Sequence, residues 1–171
     1  MFDRLTWSTA LSLILSFLML YPANAQSTDR SEPFTTVKDD QNLQTTPEQS
    51  NRLKRIRDLP TTKAVHILRA NGDLHIGSEV KISIPNDRTL VFSKNGGETI
   101  DSNDFTWFGV EKGEKGASAT LIARKGEISG SINTSKAIYR ITPLGDGLYA
   151  MSEMDTKRLP PEEPTKAPPK S

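Results

Sequence analysis

From Lys63 onward, apolar and polar positions alternate with a period of two. Ala64–Arg69 reads as a strand ending at the turn Asn71-Gly72-Asp73, and Val80–Ile84 (VKISI) alternates until Pro85-Asn86-Asp87. Thr89–Ser93 follows and stops at Lys94-Asn95-Gly96-Gly97, where the glycines can adopt the positive φ of a tight turn. Phe105–Val110 (FTWFGV) is the most aromatic segment, and the glycine-bounded KGEKG loop comes after it. Thr120–Arg124 and Glu127–Asn133 flank the hairpin dipeptide Lys125-Gly126, while Ala137–Thr142 and Leu148–Met154 flank Pro143–Gly147. Short strands with turn signals about every 8–12 residues predict an all-β fold, a single antiparallel meander closing as a sandwich or barrel.

The flanks follow other rules. Leu53 and Ile56 in NRLKRIRD (51–58) are spaced as on a helix face and ringed by basic residues, which predicts a short helical turn docking two apolar side chains. Before it, Gln26–Asn51 is polar, with Phe34, Val37 and Leu43 as its sizeable apolar residues, and reads as a flexible lead-in. At the start, a short segment containing Arg4 precedes an uncharged apolar run of about 12 residues, and Ala23-Asn24-Ala25 has the small-x-small form of a cleavage site. The run is shorter than the roughly 20 residues that cross a bilayer, so a secretory signal peptide over 1–25 is the expectation, with a periplasmic or secreted product and no stable membrane anchor. After Arg158 the text LPPEEPTKAPPKS predicts an extended, polyproline-like tail. The expected division is therefore 1–25 leader, 26–58 lead-in with a basic helical turn, 59–155 β-domain and 156–171 proline-rich tail.

Without the leader about 146 residues remain, enough for one domain. The net charge of +1 argues against binding nucleic acid by phosphate neutralisation. No cysteine is present in the 171 residues, which excludes disulfides, thiol nucleophiles and cysteine-based zinc sites.

Candidate chemistry is sparse. His66 and His75 lie on either side of a turn, but no Asp, Glu or His stands at metal-site spacing beside them, so they read as structural or surface residues. Phe105 and Trp107 share one strand face and Phe108 takes the other; the three form either core or a recognition face. Gly145-Asp146-Gly147 reads as a tight turn. Glu153, Asp155, Glu162 and Glu163 form an acidic run where sheet passes into tail. Asn133-Thr134-Ser135 matches a glycosylation sequon. No nucleophilic triad, Walker loop or dinucleotide loop is present, so a non-enzyme is expected, with no catalytic residue, metal site or cofactor; an enzyme on a β-scaffold is the minor alternative.

FTWFGV (105–110), KGASATLIARKGEISGSI (115–132), AIYRITPLGDG (137–147) and MDTKRLPPEEP (154–164) resemble the N-terminal pro-region of secreted bacterial reprolysin-like zinc metallopeptidases. RDLP (57–60) and AVHILRAN look like the start of the same region, so the resemblance spans roughly Leu59–Pro164. In that family a catalytic domain bearing HExxHxxGxxH is expected to follow, and this chain contains no HExxH. The resemblance thus implies a peptidase companion, namely an inhibitor, a folding helper or the remnant of a truncated gene, with an exported zinc metallopeptidase as partner. An edge strand or the Asp155–Pro164 tail would occupy the partner's cleft. Glu153 or Asp155 would approach the metal, and Pro160 and Pro161 would slow cleavage. The other reading is a periplasmic β-module that binds a small ligand, glycan or envelope component through Phe105, Trp107 and Phe108.

Overall fold

The computed structural model describes residues 30–38, 43–72, 76–84, 88–101, 103–111, 113 and 116–159. The leader, His75, Glu162, Glu163, Pro160 and Pro161 lie outside the described residues. In chain order the elements are β1 (Arg30–Ser31), β2 (Phe34–Thr36), α1 (Pro47–Arg57), β3 (Thr62–Ala70), β4 (Glu79–Ile84) and β5 (Arg88–Thr99). There follow β6 (Phe105–Glu111), β7 (Ser118–Arg124), β8 (Glu127–Asn133), β9 (Ile138–Gly145), β10 (Leu148–Met154) and a 3₁₀ turn over Thr156–Arg158. All ten strands form one curled sheet in the order β1-β4-β5-β6-β7-β8-β9-β10-β3-β2. The all-β expectation holds.

From β4 to β10 each strand pairs antiparallel with the next, and β3 closes the series against β10. Alternation decides what faces inward. Ile82, Phe92, Trp107, Leu121, Ile128, Ile132, Ile141 and Met151 come from successive strands and fill one core under the concave face. Lys125 (φ 52) and Gly126 (φ 78) both take left-handed conformations, as a two-residue turn joining right-twisted strands requires. Trp107 fits because Gly109, two residues on along the same face, has no side chain: a Cβ there would stand 2.1 Å from the indole ring. The indole Nε1 donates to the Gly77 carbonyl at 3.1 Å, so the one polar atom of this buried ring is satisfied.

The lead-in is more ordered than its composition predicts. Arg30 and Ser31 pair parallel with Glu79 and Val80 of β4, and Phe34–Thr36 pair antiparallel with Leu68–Ala70 of β3. Seven residues therefore bridge the two ends of the meander. Polar clips hold the bridge: Asn71 donates from N to the Pro33 carbonyl (3.0 Å) and from Nδ2 to the Glu32 carbonyl (2.8 Å), and Arg30 reaches Glu79 at 2.7 Å. One apolar anchor suffices, because strand pairing satisfies the backbone while Phe34 buries its ring edge-on to Tyr149, centroids 4.9 Å apart.

The helical turn expected at 51–58 is an 11-residue helix starting at Pro47. Thr46 and Gln49 form a reciprocal capping box: Gln49 N donates to Thr46 Oγ1 (3.2 Å) and Thr46 N to Gln49 Oε1 (2.9 Å). Leu53 and Ile56 do dock, on the convex face, in a second cluster with Ile67, Leu144, Leu148 and Ala150. Gln49 also spans to the Gly145-Asp146-Gly147 turn, donating from Nε2 to the Gly145 carbonyl at 3.1 Å.

Candidate functional site

The sheet passes into the tail at one corner, and the candidate carboxylates sit there. Glu153 is the penultimate residue of β10, paired across the sheet with Ala64 on one side and Tyr139 on the other. Its side chain is 14% exposed and accepts from Lys63 Nζ at 2.5 Å. That hydrogen bond, with the carboxylate's charge, raises the Lys63 ammonium above its ordinary value. Tyr139 beside it is raised first by burial and then by the charge of Glu153. Asp155 begins the 3₁₀ turn: its carboxylate accepts from Lys157 N at 3.1 Å and pairs with Arg158 Nε at 3.2 Å. Its own N–H donates to the Thr61 carbonyl at 2.8 Å, and Arg158 Nη1 donates to the Pro60 carbonyl at 3.2 Å. The structure thus brings Glu153 and Asp155 to one corner but commits both to partners within the chain. Their contacts fasten the end of β10 and the 3₁₀ turn to the residues around Pro60–Lys63.

The three aromatic residues of β6 divide. Trp107 is 2% exposed and belongs to the core, Phe105 packs half-buried against it, and Phe108 stands 45% exposed on the convex face beside Val110. A recognition face made of all three does not form; Phe108, Val110 and Ile100 are the exposed apolar residues of this region. A small pocket of about 130 Å³ lies under Ile100, between Phe105, Thr106 and Ile122.

Sequence reasoning missed a third place. The outer side of α1 and the strand β9 enclose a groove of about 440 Å³ lined by Arg52, Arg55, Ile56, Leu59, Thr142 and Pro143. The basic run NRLKRIRD signals one wall, but nothing in the local text pairs it with Pro143, some 90 residues away. Among the described residues no group of three or more His, Cys, Asp or Glu could hold a metal ion, and no helix is long and apolar enough to cross a membrane. His66 lies half-buried on β3 opposite Met151 of β10.

Compared with known proteins, the chain is 21% identical over 125 residues to a peptidyl-Asp metalloendopeptidase of Xanthomonas campestris pv. campestris. The match covers 66% of this chain and 30% of that protein, so the chain spans under a third of the length of the curated relative it matches. No family model matches the chain, and no solved structure does. The similarity is to a metallopeptidase-related sequence at the level of a distant relative.

Proposed function

We propose that this chain is an exported, non-catalytic, pro-region-like domain that binds and restrains a zinc metallopeptidase. The observation that carries the reading is the metalloendopeptidase similarity over 66% of a chain that contains no HExxH motif. The fold supports a way to bind. Among the described residues, β4 beyond Val80 has β5 on one side and no strand on the other, so Lys81–Ile84 offer a sheet edge for an extended partner segment. The last described residues, up to Leu159, are held at the corner where Asp155 pairs with Arg158, and the proline-rich segment follows them in the sequence. In a peptidase cleft, such a segment would exclude the water that the metal activates as nucleophile.

The test is a titration of an exported metallopeptidase from the same genome against a peptide substrate. Inhibition is expected at micromolar protein, and truncation after Met154 is expected to weaken it more than Glu153→Ala with Asp155→Ala. No inhibition, with no gain in yield when the peptidase refolds in its presence, would discard the companion role. The exposed Phe108, Val110 and Ile100 favour a second reading, a periplasmic β-module that binds a small ligand, glycan or envelope component on its convex face. Phe108→Ala would then abolish ligand binding while leaving peptidase inhibition untouched.

A further inference from the structure

The groove between α1 and β9 combines an apolar floor with a basic rim. Ile56, Leu59 and Pro143 supply the floor, and Leu59 is 46% exposed. Arg52 is held by Glu48 at 2.6 Å, whereas Arg55 has no ion pair among the described residues. The last described residues are tied to the chain next to this groove. Arg158 donates to the Pro60 carbonyl, one residue from Leu59, and Leu159 is itself 38% exposed. The next residues are Pro160-Pro161-Glu162-Glu163-Pro164, three prolines and two carboxylates.

We propose that Pro160–Pro164 docks in cis in this groove, prolines on Leu59, Ile56 and Pro143, with Glu162 and Glu163 against Arg55 and Arg52. Reach and chemistry both match. Three to four residues of polyproline II at about 3.1 Å each span roughly 9–12 Å. From the helix end at Arg57, Arg55 and Arg52 lie about 3 and 8 Å back along the axis at about 1.5 Å per residue. Prolines pre-set in an extended helix dock on apolar grooves at low entropic cost. A segment tethered beside its site has an effective concentration on the order of millimolar, so weak surface ion pairs are enough to populate the contact. The contact does not depend on the peptidase reading.

The absence of cysteine makes the test clean, since Thr165→Cys provides a single site for a nitroxide label in the full chain. The amides of Arg52, Arg55, Ile56 and Leu59 are expected to lose most of their intensity by paramagnetic broadening, while those of Phe108 and Val110 keep theirs. Glu162→Lys with Glu163→Lys should restore the groove signals, and adding Arg52→Glu with Arg55→Glu should remove them again. All four substitutions fall in the tail or on the exposed helix face, away from both cores. Full intensity in the starting chain overturns the proposal and leaves the groove to another molecule. Broadening that survives the charge reversal, or that ignores a rise from about 0.05 to 0.5 M salt, overturns it as well, because tethering alone then accounts for the proximity.

Discussion

The concave face of the sheet and the wrap that crosses its back, Arg30–Arg57, are held by different kinds of contact. Within the concave core, Phe92, Trp107, Leu121, Ile128, Ile132 and Met151 are each at most 2% exposed, and most are contributed by strands adjacent in sequence. The wrap sends Phe34 into the concave core, buries Leu53 and leaves Val37, Leu43 and Ile56 half-buried on the other side, and its bonds to the sheet are long-range: Arg30 to Glu79, Asn71 to Pro33, Gln49 to Gly145. Hairpin neighbours build the first region. The second draws its partners from both ends of the meander. The core should therefore set global stability, and the wrap should open locally before it.

The strongest way to break that contrast is Trp107→Ala. Removing a fully buried indole is expected to cost about 3–5 kcal/mol in chemical denaturation, enough to unfold a marginal domain. Gly109→Val should be comparably damaging, since even its Cβ would stand 2.1 Å from the indole. A loss from Trp107→Ala below about 1 kcal/mol would mean that the concave face does not set stability.

Leu53→Ala tests the wrap itself. The expected cost is about 2–3 kcal/mol, at the low end for leucine because the site borders solvent. Hydrogen exchange should accelerate in α1 and at Gly145–Gly147 while β6–β8 amides stay protected. Uniform acceleration would merge the two regions into one cooperative unit. Thr46→Ala removes half of the capping box and should cost about 1 kcal/mol, with the same local exchange signature.

These contrasts also explain what the sequence made legible. Strand positions followed from alternation, which is a local signal: Glu127–Asn133 and Leu148–Met154 match their expected bounds. Leu53 and Ile56 docked because helical spacing is local too. Arg30–Thr36 escaped detection since its strands rest on backbone pairing with residues about 35–50 positions away, and composition carries no trace of such pairing. The site residues were harder. Glu153 reads as a free carboxylate in the text, and only the β10–β3 register sets Lys63 beside it. Phe105, Trp107 and Phe108 were correctly split by face, but which face turns to solvent depends on how the sheet curls.

The smallest predicted effects sharpen the same comparison through two tyrosines. Tyr149 lies in the concave core under Phe34, raised above its ordinary value chiefly by burial, and the Ile128 N–H opposes the shift. Tyr139 is raised by burial and then by Glu153, with Lys63 and Arg88 opposing. A folded-state value above the unfolded one means that the neutral phenol is bound more tightly in the native state. Its contribution is fully present below the unfolded value near 10.0 and is lost as pH rises through the folded value. Lys63, also raised, behaves the same way from its ordinary 10.5 upward. Stability should accordingly fall above pH 10, and Tyr149→Phe, in the drier site, should remove more of that fall than Tyr139→Phe. Glu153→Gln separates the two regions. A phenolate absorbance titration should then show one tyrosine moving down toward 10.0, because the carboxylate that disfavours the Tyr139 anion is gone, while Tyr149 stays where it was. Movement of both tyrosines would show that the corner at Glu153 and the core beneath Phe34 respond together, and the distinction between them would have to be redrawn.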